Sequence, residues 1–184
     1  HLFHRDDTDL DIVQAKLKRL NVSAEYMLAD ARNLSRRQLE AFDKILLDAP
    51  CSGEGLMSLN ASDAPLFDSW SVAHIRRLSD LQKRLILEAW RLLKPGGTLV
   101  YSTWTMAPEE NEAVVDWLLR RQSDAELMPI TITPLPDRVS AVQSWNNRVL
   151  THDLSGCLRL MPGRLTEAFF VAAFRKTPLA KSMV

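Results

Sequence analysis

Apolar positions along the chain switch repeatedly between helical and strand spacing, which is the mark of an α/β domain built around a mostly parallel sheet. Leu10, Val13, Leu17 and Leu20 share one face of a helix predicted over Leu10 to Leu20. Ala24 to Ala29 reads as a short strand ending at Asp30. Lys44 to Leu47 is an apolar run bounded by charge and by Pro50 and Gly53, the pattern of a strand buried on both faces.

Ser71 stands as the N-cap of a long helix reaching about Leu93, with the stripe Ile75, Leu78, Gln82, Leu85, Ala89 and Leu92. Gln82 interrupts that stripe. A buried amide needs partners, so Gln82 either bonds a neighbouring loop or marks the edge of the buried face. Pro95-Gly96-Gly97 is expected to close the helix, because glycine supplies the left-handed cap conformation. Thr98 to Thr103 then reads as a strand.

Pro108 is expected to open the next helix, with Glu109 and Glu110 at the positive end of its dipole and Val114, Val115, Leu118 and Leu119 on its apolar face. Between Ser123 and Ser155 the pattern weakens into a long, partly ordered connection. Cys157 to Met161 and Ala168 to Phe174 form a strand pair separated by Pro162-Gly163, read as an antiparallel hairpin.

Composition narrows the classes. The 184 residues suffice for one domain with a real core, and no run of eighteen or more apolar residues indicates a membrane span. His1 to Asp9 carries neither an initiating Met nor a signal-peptide pattern, so the chain reads as entered part-way through. Two cysteines, Cys51 and Cys157, make no disulfide framework, and no spacing matches a metal site; a cytoplasmic location fits best. The 23 basic and 23 acidic residues cancel, so any nucleic-acid binding must rest on local patches. The candidates are Arg36-Arg37, Arg76-Arg77, Arg120-Arg121 and Arg175-Lys176, each of which also reads as a solvated surface pair.

Ligands of open α/β sheets bind beyond the carboxyl ends of the strands, where Asp30, Asp48 and Trp104 all fall. Taken singly, each Asp is a turn residue, Cys51 a small buried hydrophobe and Trp104 an aromatic core residue at a strand end. The longer strings are more specific. Phe42-Asp-Lys-Ile-Leu-Leu-Asp-Ala-Pro-Cys-Ser-Gly-Glu-Gly55 and the stretch from Leu93 to Val115, with Glu167 to Lys176 at the end, resemble the motifs of the RNA cytosine-C5 methyltransferases of the Sun or Fmu type. The resemblance runs from about Asn21 to Lys176.

That resemblance implies a Rossmann-like catalytic domain, partial over residues 1–176, with a C-terminal tail at 177–184. It implies methyl transfer from S-adenosylmethionine to C5 of cytosine in rRNA or tRNA, with no metal and no membrane partner. In the family a cysteine thiolate adds to C6 and pushes electron density to C5, and a second cysteine helps release the product. The target base must leave its stack to reach the pocket.

Carried over position by position, Cys51 matches the releasing cysteine and Asp48 the carboxylate facing both cofactor and cytosine. Asp30 matches the acid near the adenine, Pro50 belongs to the same cofactor-facing loop, and Trp104 stands at the nucleophile. An indole offers no thiolate, so methylation by the chain as written is not expected, and an inactive RNA-binding module is the alternative. In a second alternative, patterned on the Pro-Cys motif of DNA cytosine methyltransferases, Cys51 itself attacks. The family's glycine-rich first motif and first strand would lie before His1. In register, the ribose-binding acid falls at His4, with Asp6 as its substitute, and the sheet would need further sequence, a partner or rearrangement to be complete.

Overall fold

The computed structural model describes residues 2–4, 7–36, 39–56, 70–132, 135, 137–163 and 166–178. Strand β1 (Leu2–His4), helix α1 (Asp7–Arg19) and strand β2 (Tyr26–Leu28) come first, and β1 pairs with β2 in parallel, Leu2 opposite Tyr26. The α1 helix starts before the predicted Leu10, because three acidic or polar residues ahead of it suit a first helical turn.

A six-stranded sheet carries the rest of the fold. Its main path runs β3 (Phe42–Asp48), β4 (Leu93–Thr103), β10 (Phe169–Lys176), β9 (Leu158–Leu160) and β6 (Arg138–Val139), with β5 (Ala125–Met128) also paired to β10. Strands β3 and β4 run parallel, in a register that sets Asp48 beside Ser102. Strand β10 runs antiparallel to β4, β5 and β9. The expected C-terminal hairpin is therefore present as β9 and β10.

The core follows from period-two alternation on β10, whose Phe170, Ala172 and Phe174 are fully buried. They meet Ile86, Ala89 and Trp90 of helix α2 (Val72–Leu92) and Val114, Val115 and Leu118 of helix α3 (Glu112–Arg121). Trp90 meets Phe174 edge to face, with ring centroids 6.4 Å apart. Its indole Nε1 donates to Asp124 over 3.1 Å, so this buried aromatic keeps its polar atom paired.

Three expectations are corrected. Strand β3 is not buried on both faces: it is the sheet's edge among the described residues, and Leu46 is 69% exposed. Pro95-Gly96-Gly97 does not cap α2. The helix gives way at Leu93, already extended, and β4 runs straight through the Pro-Gly-Gly segment. The glycines serve the strand instead. Gly96 has φ +81°, and a Cβ on Gly97 would lie 2.9 Å from the Asp43 carbonyl, where the β3–β4 register shifts.

Pro108 likewise does not open α3. Residues 108–111 form turns, and the helix starts at Glu112 after Asn111. Side-chain bonds to the strand below override the helix signal: Asn111 is gripped by Thr103 and Thr105, and the Glu110 carbonyl by Tyr101.

The segment from Ser123 to Ser155 holds β5, β6 and a hairpin of β7 (Ser144–Trp145) and β8 (Arg148–Val149). Strands of two to four residues have too few positions to show a period, so no hydrophobic pattern announced them. Buried carboxylates on α3 anchor this region. Glu112 accepts from the Val142 N–H over 3.0 Å, and Asp116 from the Thr151 and His152 N–H groups over 2.9 and 3.1 Å. Among the described residues no helix is long and apolar enough to cross a membrane.

Candidate active site

The parallel pairing of β3 with β4 brings their carboxyl ends side by side, and the two motif loops leave from there. Ser102 Oγ donates to Asp48 Oδ1 over 2.8 Å, and the Ala49 N–H to the Ser102 carbonyl over 3.0 Å. Asp48 stays exposed, and its second oxygen takes no hydrogen bond among the described residues. It can therefore still accept from a ligand.

Beyond Pro50 the chain turns under the end of β4. The Trp104 N–H donates to Cys51 Sγ over 3.2 Å. Ser52 Oγ shares a 2.8 Å hydrogen bond with Thr105 Oγ1, and the Gly55 N–H donates to the Trp104 carbonyl over 2.9 Å. A Cβ on Gly55 would lie 2.3 Å from the Ala168 carbonyl oxygen, so only glycine lets the loop approach this closely. Thr105 also donates to Glu54 over 3.1 Å. The two loops thus form one bonded unit.

A buried polar platform supports that unit from below. Glu110 Oε2 accepts from the Ser52 N–H over 3.1 Å and from Gln82 Nε2 over 2.7 Å. Gln82 Nε2 also donates to the Pro50 carbonyl over 2.8 Å, which resolves the interrupted α2 stripe in favour of a loop-bonding amide. One oxygen of each side chain, Gln82 Oε1 and Glu110 Oε1, has no partner among the described residues. Burial pushes the Glu110 carboxyl above its usual range, against the opposing hydrogen bonds from Ser52 and Gln82. Tyr101 donates its hydroxyl to the Glu110 carbonyl over 2.6 Å and is itself pushed well upward, first by burial and then by the Glu110 charge.

Cys51 is half-buried, and burial raises its thiol above the ordinary cysteine value. Hydrogen bonds from the Trp104 and Gly53 backbone act the other way, and the Glu110 and Asp48 charges add to the rise. That environment favours a thiol over a thiolate. The side chain of Trp104 is 43% exposed and meets Phe169 edge to face at 6.4 Å. It is not a core residue; it is exposed just past the end of β4.

Asp48, Pro50, Cys51 and Trp104 are therefore brought together, but the described contacts do not draw Asp30 into the same unit. Asp30 follows β2, and Arg32 engages both of its carboxylate oxygens, with Nε at 2.8 and 2.9 Å. Asp6 lies outside the described residues. S-adenosylmethionine carries ribose hydroxyls and an ammonium group, which ask for open carboxylates. Asp48 fits that demand, and at Asp30 a ligand would first displace the half-exposed Arg32. Among the described residues no cluster of three or more metal-binding side chains occurs.

Sequence reasoning missed Glu110 as a site residue, because its two neighbours disguised it as part of a helix start. The available signal was Gln82, whose amide on an apolar stripe required a buried polar partner.

Residues 3–175 match the 16S rRNA methyltransferase RsmB/F family. The chain is 40% identical over 168 residues to a tRNA (cytosine(49)-C(5))-methyltransferase of Pyrococcus abyssi, a match covering 90% of this chain and 52% of that protein. It is also 40% identical to the ribosomal RNA small subunit methyltransferase F of Klebsiella pneumoniae, over 90% of this chain and 32% of that protein. The chain thus spans about a third to a half of the curated relatives it matches. A crystal structure of a methyltransferase homolog protein from Pyrococcus horikoshii superposes with a TM-score of 0.76 at 32% identity, covering 95% of this chain and 52% of the other.

Proposed function

The chain belongs to the 16S rRNA methyltransferase RsmB/F family, and from that premise we propose that it forms the cytosine-C5 methylation site of an RNA methyltransferase in which Trp104 occupies the nucleophile position. The observation that carries this reading is the juxtaposition, at the ends of β3 and β4, of Asp48, held by Ser102, with Cys51, held by the Trp104 N–H. The substrate is cytosine in rRNA or tRNA. When bound, S-adenosylmethionine supplies an electrophilic methyl group.

The chain's own residues account for orientation and proton handling. Asp48 keeps one oxygen free to hold the cytosine ring edge or the cofactor. Gln82 and Glu110 fix the carbonyl of Pro50 and the N–H of Ser52, so Cys51 between them has a set position. The raised pKa of Cys51 favours its thiol form, which suits it to donating a proton and not to accepting one. The addition to C6 needs a nucleophilic thiolate, and position 104 has none, because an indole cannot add to C6.

A second reading follows from the exposure of Trp104: its indole offers a stacking face to a flipped base, so the chain binds RNA without turnover. Transfer of labelled methyl from S-adenosylmethionine to cellular RNA separates the readings in the intact protein that carries this chain. Trp104→Cys is expected to label cytosine while the unmodified protein does not. Absence of transfer with both proteins removes the enzyme reading.

A further inference from the structure

A cleft of about 410 Å³ opens between α2 and the β7–β8 hairpin, within the roughly 300–1,000 Å³ of ordinary ligand clefts. None of the paired loop residues lines it, but Glu109 does, directly beside the Glu110 that supports the Cys51 loop. Its other walls include Arg76 and Lys83 of α2 and Trp145 and Arg148 of the hairpin.

The hairpin is built to present those side chains. Trp145 and Arg148 are cross-strand partners, joined by Asn146 and Asn147, both in the left-handed conformation at φ 50° and 59°. Two consecutive left-handed residues make the tight turn that matches strand twist, and Asn tolerates it. The hairpin's base is closed by the 2.9 Å bond from the Leu150 N–H to the Gln143 carbonyl, and its flanks by Glu112 and Asp116 of α3. Nothing in this anchoring uses Trp145, which is 45% exposed. An exposed indole on a tied-down turn loses little freedom when a planar group stacks on it.

The charge pattern points to the same class of partner. With a net charge of zero, RNA affinity must come from a local patch. Three of the four candidate basic pairs named from the sequence do not provide one. The Arg36-Arg37 pair lies outside the described side chains, Arg120 is paired to Asp116 while Arg121 lies 4.7 Å over the Trp117 ring, and Lys176 is buried with its ammonium on the Leu93 carbonyl. Arg76 and Arg148 differ: both are exposed, and neither has an ion-pair partner among the described residues. Lys83 bonds the exposed Asp80 at 3.2 Å, a pair that a phosphate can displace at little cost. The lining therefore holds three cations, Arg76, Lys83 and Arg148, against two carboxylates, Asp80 and Glu109.

We infer that this cleft is a second RNA contact surface, on which Trp145 stacks against an unpaired base while Arg76, Lys83 and Arg148 meet the flanking phosphates. The inference rests on the proposed RNA reading and gives it a binding surface outside the reaction site. Aromatic stacking with cations alongside is the chemistry of single-stranded nucleic-acid grooves.

Anisotropy of a fluorescein-labelled oligocytidylate RNA, titrated with the intact protein across a salt series, tests it. Trp145→Ala is expected to weaken binding about 5- to 150-fold, the range corresponding to the loss of one stacked base, and Trp145→Phe to restore most of it. The Arg76→Ala, Arg148→Ala double variant should weaken binding and flatten the slope of log K against log salt by about 0.7 per lost phosphate contact. Circular dichroism confirms that each variant is folded. If Trp145→Ala and the double variant bind like the unmodified protein, the cleft is not an RNA surface, and the function at Trp104 is untouched. If the unmodified protein binds no RNA at any salt, both readings fall together.

Discussion

The backbone N–H of Trp104 donates to the Sγ of Cys51 across 3.2 Å, tying the end of β4 to the loop that leaves β3. The contact is made by the main chain of Trp104 and not by its indole. Any residue except proline would keep the donor, so the loop geometry does not depend on the tryptophan side chain.

Cys51 should behave as a poorly ionised thiol. Burial raises its pKa more than the backbone hydrogen bonds lower it, so its thiolate fraction near neutral pH is below that of an ordinary cysteine. Iodoacetamide labelling followed by mass spectrometry is expected to be slow at neutral pH and to accelerate with a midpoint above the ordinary cysteine value. Cys157, buried and pushed up to about 12, should stay unlabelled in the folded protein. A Cys51 midpoint below the ordinary value would restore it as a nucleophile.

Glu110 gives a pH signature of the opposite sign to a salt-bridged acid. Its folded pKa is raised, so the folded state binds its proton more tightly than the unfolded state does. The stabilisation is complete below the unfolded glutamate value and is lost as pH rises through the raised folded value. Glu110→Gln keeps an acceptor for the Ser52 N–H and removes the titration. Denaturant midpoints measured from the usual carboxylate range up to neutral pH should therefore fall for the unmodified protein and stay flatter for E110Q. Parallel curves would show that Glu110 is not a perturbed acid.

Much of this platform was hidden in the sequence for a physical reason. Helix α2, its Ser71 cap, β4 and the β9–β10 hairpin each bury one periodic face, so their pattern is local and readable. Ser71 Oγ indeed accepts from the His74 N–H at 3.1 Å. Glu110 and Asn111 obey bonds to Tyr101, Thr103 and Thr105, partners set by the β4 end and not by neighbours in a helix. Pro-Gly-Gly reads alike as a helix cap or as a bulged strand start, and pairing with β3, which brings the Asp43 carbonyl against Gly97, favours the strand. At the site, Asp48, Pro50 and Cys51 were legible as one motif. That Asp30 would be occupied by Arg32 was not, because a residue two positions on can cap, pair or point away with equal ease.

Gly55 should be intolerant of a methyl group. Its Cβ would fall 2.3 Å from the Ala168 backbone oxygen and 2.9 Å from that of Trp104, and neither atom can rotate aside. Gly55→Ala is expected to cost about 1–3 kcal/mol or more in chemical denaturation, as overpacking does. An unchanged midpoint would show that the loop does not sit so close to β4 and β10.

The ion pair of Arg159 with Glu112 should matter more than the surface pairs. Arg159 Nη1 lies 3.1 Å from both Glu112 oxygens, with the Glu112 side chain fully buried. Removing one partner leaves the other charge buried, at about 3–5 kcal/mol. Arg159→Ala should show that loss by denaturation, together with faster amide exchange at Val142, which donates to the same carboxylate. Lys94→Ala, which breaks an exposed pair with Asp43, should stay within about 1 kcal/mol of the unmodified protein. Equal losses in the two variants would contradict this ranking.

Covalent trapping on RNA containing 5-fluorocytosine reads the role of Trp104 directly, because fluorine at C5 blocks the release of a cysteine adduct. With S-adenosylmethionine present, the unmodified intact protein is expected to form no denaturation-resistant RNA complex, and Trp104→Cys to form one. A complex formed by the unmodified protein and lost in Cys51→Ala would contradict the assignment and make Cys51 the attacking group.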